Sequence, residues 1–123
     1  MLRNQQRAAK LFSEVYATSR AAFDRSEPIT TPKLVYSVFP KYPKGLARKE
    51  VQGGVCVAFV VDEAGVPIEV QALEDESMPA DPKFVEAALG AVRQWRFSPG
   101  KAAGKPMRFI LTVPMLFEMH DGI

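Results

Sequence analysis

Apolar positions change their repeat as the chain proceeds. From residue 2 to 24, Ala8, Leu11, Phe12, Val15, Ser19, Ala22 and Phe23 recur at spacings of three and four, with Arg3, Arg7, Lys10 and Arg20 elsewhere. No Gly or Pro interrupts that stretch, so the pattern predicts an amphipathic helix over residues 1–25. Its apolar stripe is modest and needs a partner surface. SEPITTPK then breaks the repeat and reads as a linker, so residues 26–38 are a linker and extended segment ahead of a domain at 39–118. Within it, residues 33–39 form a short extended piece running into Pro40 and Pro43, each of which biases its preceding residue towards extended geometry. Residues 44–50 suit a short helical turn.

Beyond that point the repeat becomes two. Val55, Val57, Phe59 and Val61 share one face of a strand, and Cys56, Ala58 and Val60 the other. Both faces are apolar, which predicts a central strand covered on both sides. Asp62-Glu63-Ala64-Gly65 is a hairpin connection, with Gly65 suited to positive φ. The return strand places Val66, Ile68, Val70 and Ala72 inward, with Glu69 and Gln71 outward. After the polar loop EDESMPADP, Asp81 suits an N-cap and Pro82 the first helical position. Phe84, Ala88, Val92 and Trp95 form the helix stripe, Arg93 and Arg96 occupy its last turn, and Pro99-Gly100 stops it. Met107, Phe109, Leu111, Val113, Met115 and Phe117 then alternate through a last strand. Pro114 cannot donate to ladders on both sides and puts that strand at a sheet edge. The predicted fold is α+β: a two-layer sandwich of a small antiparallel three-stranded sheet, in spatial order second, first, third, with one packed helix. The N-terminal amphipathic helix precedes it.

Composition adds little to this picture. The chain has 123 residues, enough for one domain, and no apolar run long enough to cross a bilayer. The opening MLRNQQRAAK has no apolar signal core. A single cysteine, Cys56, excludes an internal disulfide. The net charge of +2 hides an uneven distribution: eight acids and one base between Asp62 and Glu86, then five bases and no acid between Arg93 and Arg108. That basic stretch suits a solvated face better than a nucleic-acid surface, because Trp95 and Phe97 stand where a core wants them.

Catalytic readings fail on spacing. The segment VRQWRFSPGKAAGKP ends in Gly-Lys, but Gly100 and Gly104 enclose three residues where a phosphate loop needs four, and Pro106 stands where Ser or Thr would hold magnesium. It is a connector. The lone histidine, His120, lies in the tail, and no ligand spacing brings it to Cys56, so neither a metal nor a Cys–His nucleophile is expected. Glu74-Asp75-Glu76 lies in a polar loop, without the burial that acid catalysis requires. Binding surface remains. An edge strand templates an added strand. Phe39-Pro40-Lys41-Tyr42-Pro43 is either a clamp holding the N-terminal segment to the core or a recognition lip beside the edge; the two are compatible.

Residues from about Pro40 to Phe117 resemble the C-terminal domain of the TonB family of periplasmic energy transducers. The resemblance rests on Pro-Lys-Tyr-Pro at 40–43 followed by Leu46-Ala47-Arg48, Gly54-Val55 leading into Val57, Phe59 and Val61-Asp62, and the hairpin Gly65. It continues through Phe84, Ala87-Ala88, Val92, Trp95-Arg96-Phe97, Pro99-Gly100, Gly104-Lys105-Pro106 and Val113-Pro114. Trp-Arg-Phe-x-Pro-Gly followed by Gly-Lys-Pro is its most specific part. The resemblance implies a non-enzymatic domain without cofactor or metal, held in the periplasm of Gram-negative bacteria by an inner-membrane helix and a Pro-rich spacer. Its last strand would pair with an extended peptide from the N-terminus of an outer-membrane receptor. Force from the proton-driven inner-membrane motor complex would pass through that contact. By position it implies peptide-binding roles for Phe39, Pro40, Lys41 and Tyr42, and for the pairing residues Met107, Arg108, Phe109, Ile110, Leu111, Thr112 and Val113. The chain departs from the family at Phe39 and Lys41, where the best-known members carry glutamines, and residues 1–25 are neither membrane helix nor Pro-rich spacer. It is therefore expected to be either a fragment or a soluble adaptor. Two alternatives stay open: an assembly module that forms a homodimer through the edge strand or N-terminal helix, and, ranked last, a nucleic-acid binder using Arg93, Arg96, Lys101, Lys105 and Arg108.

Overall fold

The computed structural model describes residues 2–41, 53–73 and 82–117. Helix α1 spans Leu2–Asp24. Strands β1 (Ile29–Thr30) and β2 (Lys33–Tyr36) follow, then β3 (Gly53–Val61) and β4 (Pro67–Leu73). Helix α2 is Pro82–Arg93, and β5 (Arg96–Ser98), β6 (Gly100–Ala102), β7 (Lys105–Met107) and β8 (Phe109–Phe117) complete the described chain. The helical turn expected at 44–50, the loop acids at 74–76, the Asp81 cap and His120 lie outside the described residues.

The main sheet has the order β4-β3-β8, antiparallel throughout, as the central apolar strand predicts. Val55, Val57, Phe59 and Val61 pack with Phe84, Ala88, Ala91 and Val92 of α2 and with Phe97 and Met115 in one buried cluster. Burying Phe59 and Phe84, the largest fully buried side chains among the described residues, contributes about 2 kcal/mol or more each. On the opposite face Val60 is fully buried and Ala58 nearly so. α1 packs against β8, with Ala8, Val15 and Ala22 buried one heptad apart. The small alanines let the helix approach closely. α1 ends in a Schellman closure, Glu27 N–H to Ala22 C=O and Ser26 N–H to Phe23 C=O, with Ser26 at φ 58° where glycine is usual.

Four expectations are corrected. The stretch SEPITTPK contains a strand, Ile29–Thr30, which pairs with β6, while the expected extended piece from Lys33 pairs with β5 over Lys33–Tyr36. α2 stops at Arg93, ahead of Pro99-Gly100, because residues 96–98 are taken up by pairing with β2, so Trp95 and Arg96 lie beyond the helix. In β4 a bulge between the Ala58 and Val60 pairings, with Glu69 at φ 50°, shifts the alternation. Ile68 therefore shares the face of Val60, while Val70 and Ala72 pack on the core. Finally, the long last strand divides at Arg108. Lys105–Met107 folds back on β6 through Ala103-Gly104, both at positive φ as a type I′ turn requires, and only Phe109–Phe117 pairs with β3. The connector is itself a hairpin.

Candidate functional site

The two edges of the main sheet are unequal. β4 begins at Pro67 and is interrupted by the Glu69 bulge, both features that discourage an added strand. β8 pairs with β3 through nine consecutive residues, Phe109 to Phe117, without a register shift. No other described strand pairs with its outer side. Phe109 and Met115 are buried, and Leu111 and Val113 pack against the core cluster. These side chains hold the strand flat while Thr112 and Pro114 face solvent. A regular edge, fixed by its inner face and closed by one proline, can accept main-chain hydrogen bonds from an extended peptide.

The other predicted residues fall nearby in sequence but divide in structure. Val38, rather than Phe39, anchors the lip: it packs on the core, and its carbonyl accepts the Trp95 Nε1–H at 2.9 Å. The Trp95 and Phe97 rings stand 6.4 Å apart, and Phe97 meets Phe59 at 5.6 Å. Phe39 is 95% exposed, Pro40 is half-buried and Lys41 exposed; Tyr42 lies outside the described residues. Met107 ends β7, paired with Gly100, and Arg108 links β7 to β8, so neither pairs with β3.

An unforeseen contributor is α1. An open groove of about 290 Å³ runs between its Leu11, Glu14, Val15 and Thr18 and the β7–β8 junction at Pro106, Met107 and Arg108, with Glu63 at its rim. Arg108 Nε donates to Glu63 Oε1 at 3.0 Å, and that bond holds the Glu63 carboxyl below the usual carboxylate range. The hairpin bearing Glu63 is built by Asp62, whose Oδ1 accepts from the N–H groups of Ala64 and Val66 at 2.9 Å each. The apolar stripe of α1 announced a partner surface, but nothing in its spacing pointed to β8. Among the described residues no group of three His, Cys, Asp or Glu side chains converges as a metal site would require.

This geometry defines a small α+β domain that presents one regular sheet edge. Residues 39–119 match the family model for the Gram-negative bacterial TonB protein C-terminal. The chain is 31% identical over 98 residues to the protein TonB of Vibrio cholerae serotype O1, a match covering 77% of this chain and 39% of that protein. Its fold matches the solution NMR structure of the Pseudomonas aeruginosa TonB CTD with a TM-score of 0.62 at 24% identity, over 75% of this chain and 90% of that one. The chain belongs to the TonB C-terminal family. It spans about two fifths of the length of the Vibrio cholerae relative.

Proposed function

We propose that this domain is a non-enzymatic binding module of a TonB-dependent transport system, whose β8 takes up an extended peptide from the N-terminus of an outer-membrane receptor. The asymmetry of the two sheet edges carries this reading: β4 is bulged and starts with proline, whereas β8 is regular over nine pairs. Main-chain pairing supplies affinity that tolerates varied receptor sequences, and the exposed Phe39 and Lys41 beside the anchored Val38 supply side-chain discrimination. A strand paired along its length resists pulling in shear, which suits transmission of force from a proton-driven inner-membrane motor through an upstream segment. The reading places the domain in the periplasm, tethered to the inner membrane, and requires no cofactor.

The test is an NMR titration of isotope-labelled protein with a receptor N-terminal peptide. Amide shifts concentrated at residues 107–113 and 39–42 are the expected result. Shifts at those amides that depend on protein concentration, with none on adding peptide, would assign the edge to a homodimer and sink the receptor reading.

A further inference from the structure

Six of the chain's 16 bases, Lys33, Lys41, Arg93, Arg96, Lys101 and Lys105, lie within residues 28–41 and 93–107, while all 14 acids lie elsewhere. Strand pairing gathers these two stretches into one lobe. Lys33 is opposite Ser98, Tyr36 opposite Arg96, and Thr30 opposite Lys101. Arg96 Nη1 donates to the Arg93 carbonyl, which brings the helix end into the same surface. All six bases are exposed, and among the described residues none forms an ion pair with a carboxylate. The same lobe carries Leu34, Val35, Tyr36 and Phe39, which are 50%, 71%, 55% and 95% exposed. An apolar cluster set in charge of a single sign marks an interaction surface.

We propose that this lobe is a peripheral docking surface for a membrane whose headgroups are anionic. Three observations favour a bilayer over an added strand or a folded partner. β2 has only four residues and is bulged between Leu34 and Tyr36, a poor template for strand addition. Leu34 and Val35 are adjacent on the strand and both exposed, so the apolar surface wraps round the ribbon instead of forming one flat face. Phe39 lies beyond the end of β2, past the reach of a strand added to β2 itself. A fluid interface receives such side chains without fixed geometry, and the lysine and arginine stems reach past them to phosphate. The inference rests on no reading of β8.

Cosedimentation of the full chain with vesicles tests it. The protein is expected to pellet with vesicles of phosphatidylglycerol and phosphatidylcholine in equal parts, to stay soluble with phosphatidylcholine alone, and to be released by salt. Replacing Lys33 and Arg96 by alanine together is expected to lower the partition coefficient about 25-fold, about fivefold per base. L34S with V35S is expected to lower it about tenfold or more. Circular dichroism and receptor-peptide titration on the same variants report separately on folding and on β8. Equal partition into both vesicle types, no pelleting, or pelleting that neither double substitution weakens would overturn the proposal. Salt-sensitive binding to single-stranded DNA without vesicle binding would overturn it in favour of a nucleic-acid surface.

Discussion

The indole N–H of Trp95 donates to the carbonyl of Val38 at 2.9 Å, joining residues 57 apart in sequence. This bond fixes where the segment bearing Phe39 and Pro40 leaves the core. Trp95→Phe keeps most of the ring and removes the donor, so stability is expected to fall by about 1 kcal/mol. Trp95→Ala also removes the packing on Phe97 and is expected to cost about 3 kcal/mol. Urea midpoints with unchanged slopes check the magnitudes. Faster proteolysis at residues 37–41 in both variants checks the anchoring role.

Glycines separate backbone need from available space. At Gly65, φ is 82° and an added Cβ would lie 1.9 Å from the Phe97 carbonyl oxygen, in a turn whose own carbonyl accepts the Phe97 N–H. Gly65→Ala is expected to cost about 3 kcal/mol or more. Gly104 has φ 79° in open space, so Gly104→Ala is expected to cost about 1 kcal/mol. Gly90 lies in α2 with nothing within 4 Å, and Gly90→Ala is expected to stabilise by about 0.5–1 kcal/mol. Thermal or denaturant unfolding of the three variants gives the order directly.

α1 contributes no residue to the main core cluster, although Val15 is 5% exposed against the sheet. Val15→Asp places an unpaired carboxylate in that seam and is expected to release the helix while residues 53–117 keep their fold. Hydrogen exchange is then expected to rise throughout α1 and at the β8 amides it covers, but not in α2. Global loss of protection would show that α1 belongs to one cooperative unit with the sheet.

The sheet order and the core face of β3 were legible because both follow from side-chain alternation and from Pro114. Two features were not. The β4 bulge arises at Glu69, a residue with no turn signature, and only the pairing to β3 reveals it. The early end of α2 depends on β2, 60 residues upstream in pairing terms between Tyr36 and Arg96. Helical spacing continued to Trp95, but tertiary pairing overrode it. Of the candidate site, the alternation of β8 was readable, whereas the α1 wall and the Glu63–Arg108 pair required knowing which surfaces meet.

Glu63 and Arg108 give a small pH effect of definite sign. The Arg108 guanidinium lowers the Glu63 carboxyl pKa, so the pair stabilises the fold above the ordinary carboxylate pKa and fades as pH falls through the lowered value. Both side chains are largely exposed, so the contribution is about 0.5 kcal/mol or less. Arg108→Gln is expected to return the Glu63 carboxyl to its ordinary range, read by NMR titration of its side-chain carbon. The stability gap between the two proteins is expected at neutral pH and to close as pH falls through the lowered Glu63 pKa.

The outward groups of β8 follow from its proline. Pro114 stands opposite Cys56 within nine unbroken pairs. Its missing N–H costs the ladder nothing if that position faces away from β3, and alternation then turns Thr112 and Ile110 outward with it. Thr112 is exposed, while Val113 packs on the core. Thr112→Pro is therefore expected to change stability by no more than about 1 kcal/mol while abolishing receptor-peptide shifts at residues 107–113. Val113→Pro removes a bond to β3 and disturbs packing, and is expected to cost about 3 kcal/mol or more. The reverse order of stabilities would place the Thr112 N–H on the β3 side. Retained peptide shifts in a folded Thr112→Pro protein would show that the peptide is held elsewhere than on this edge.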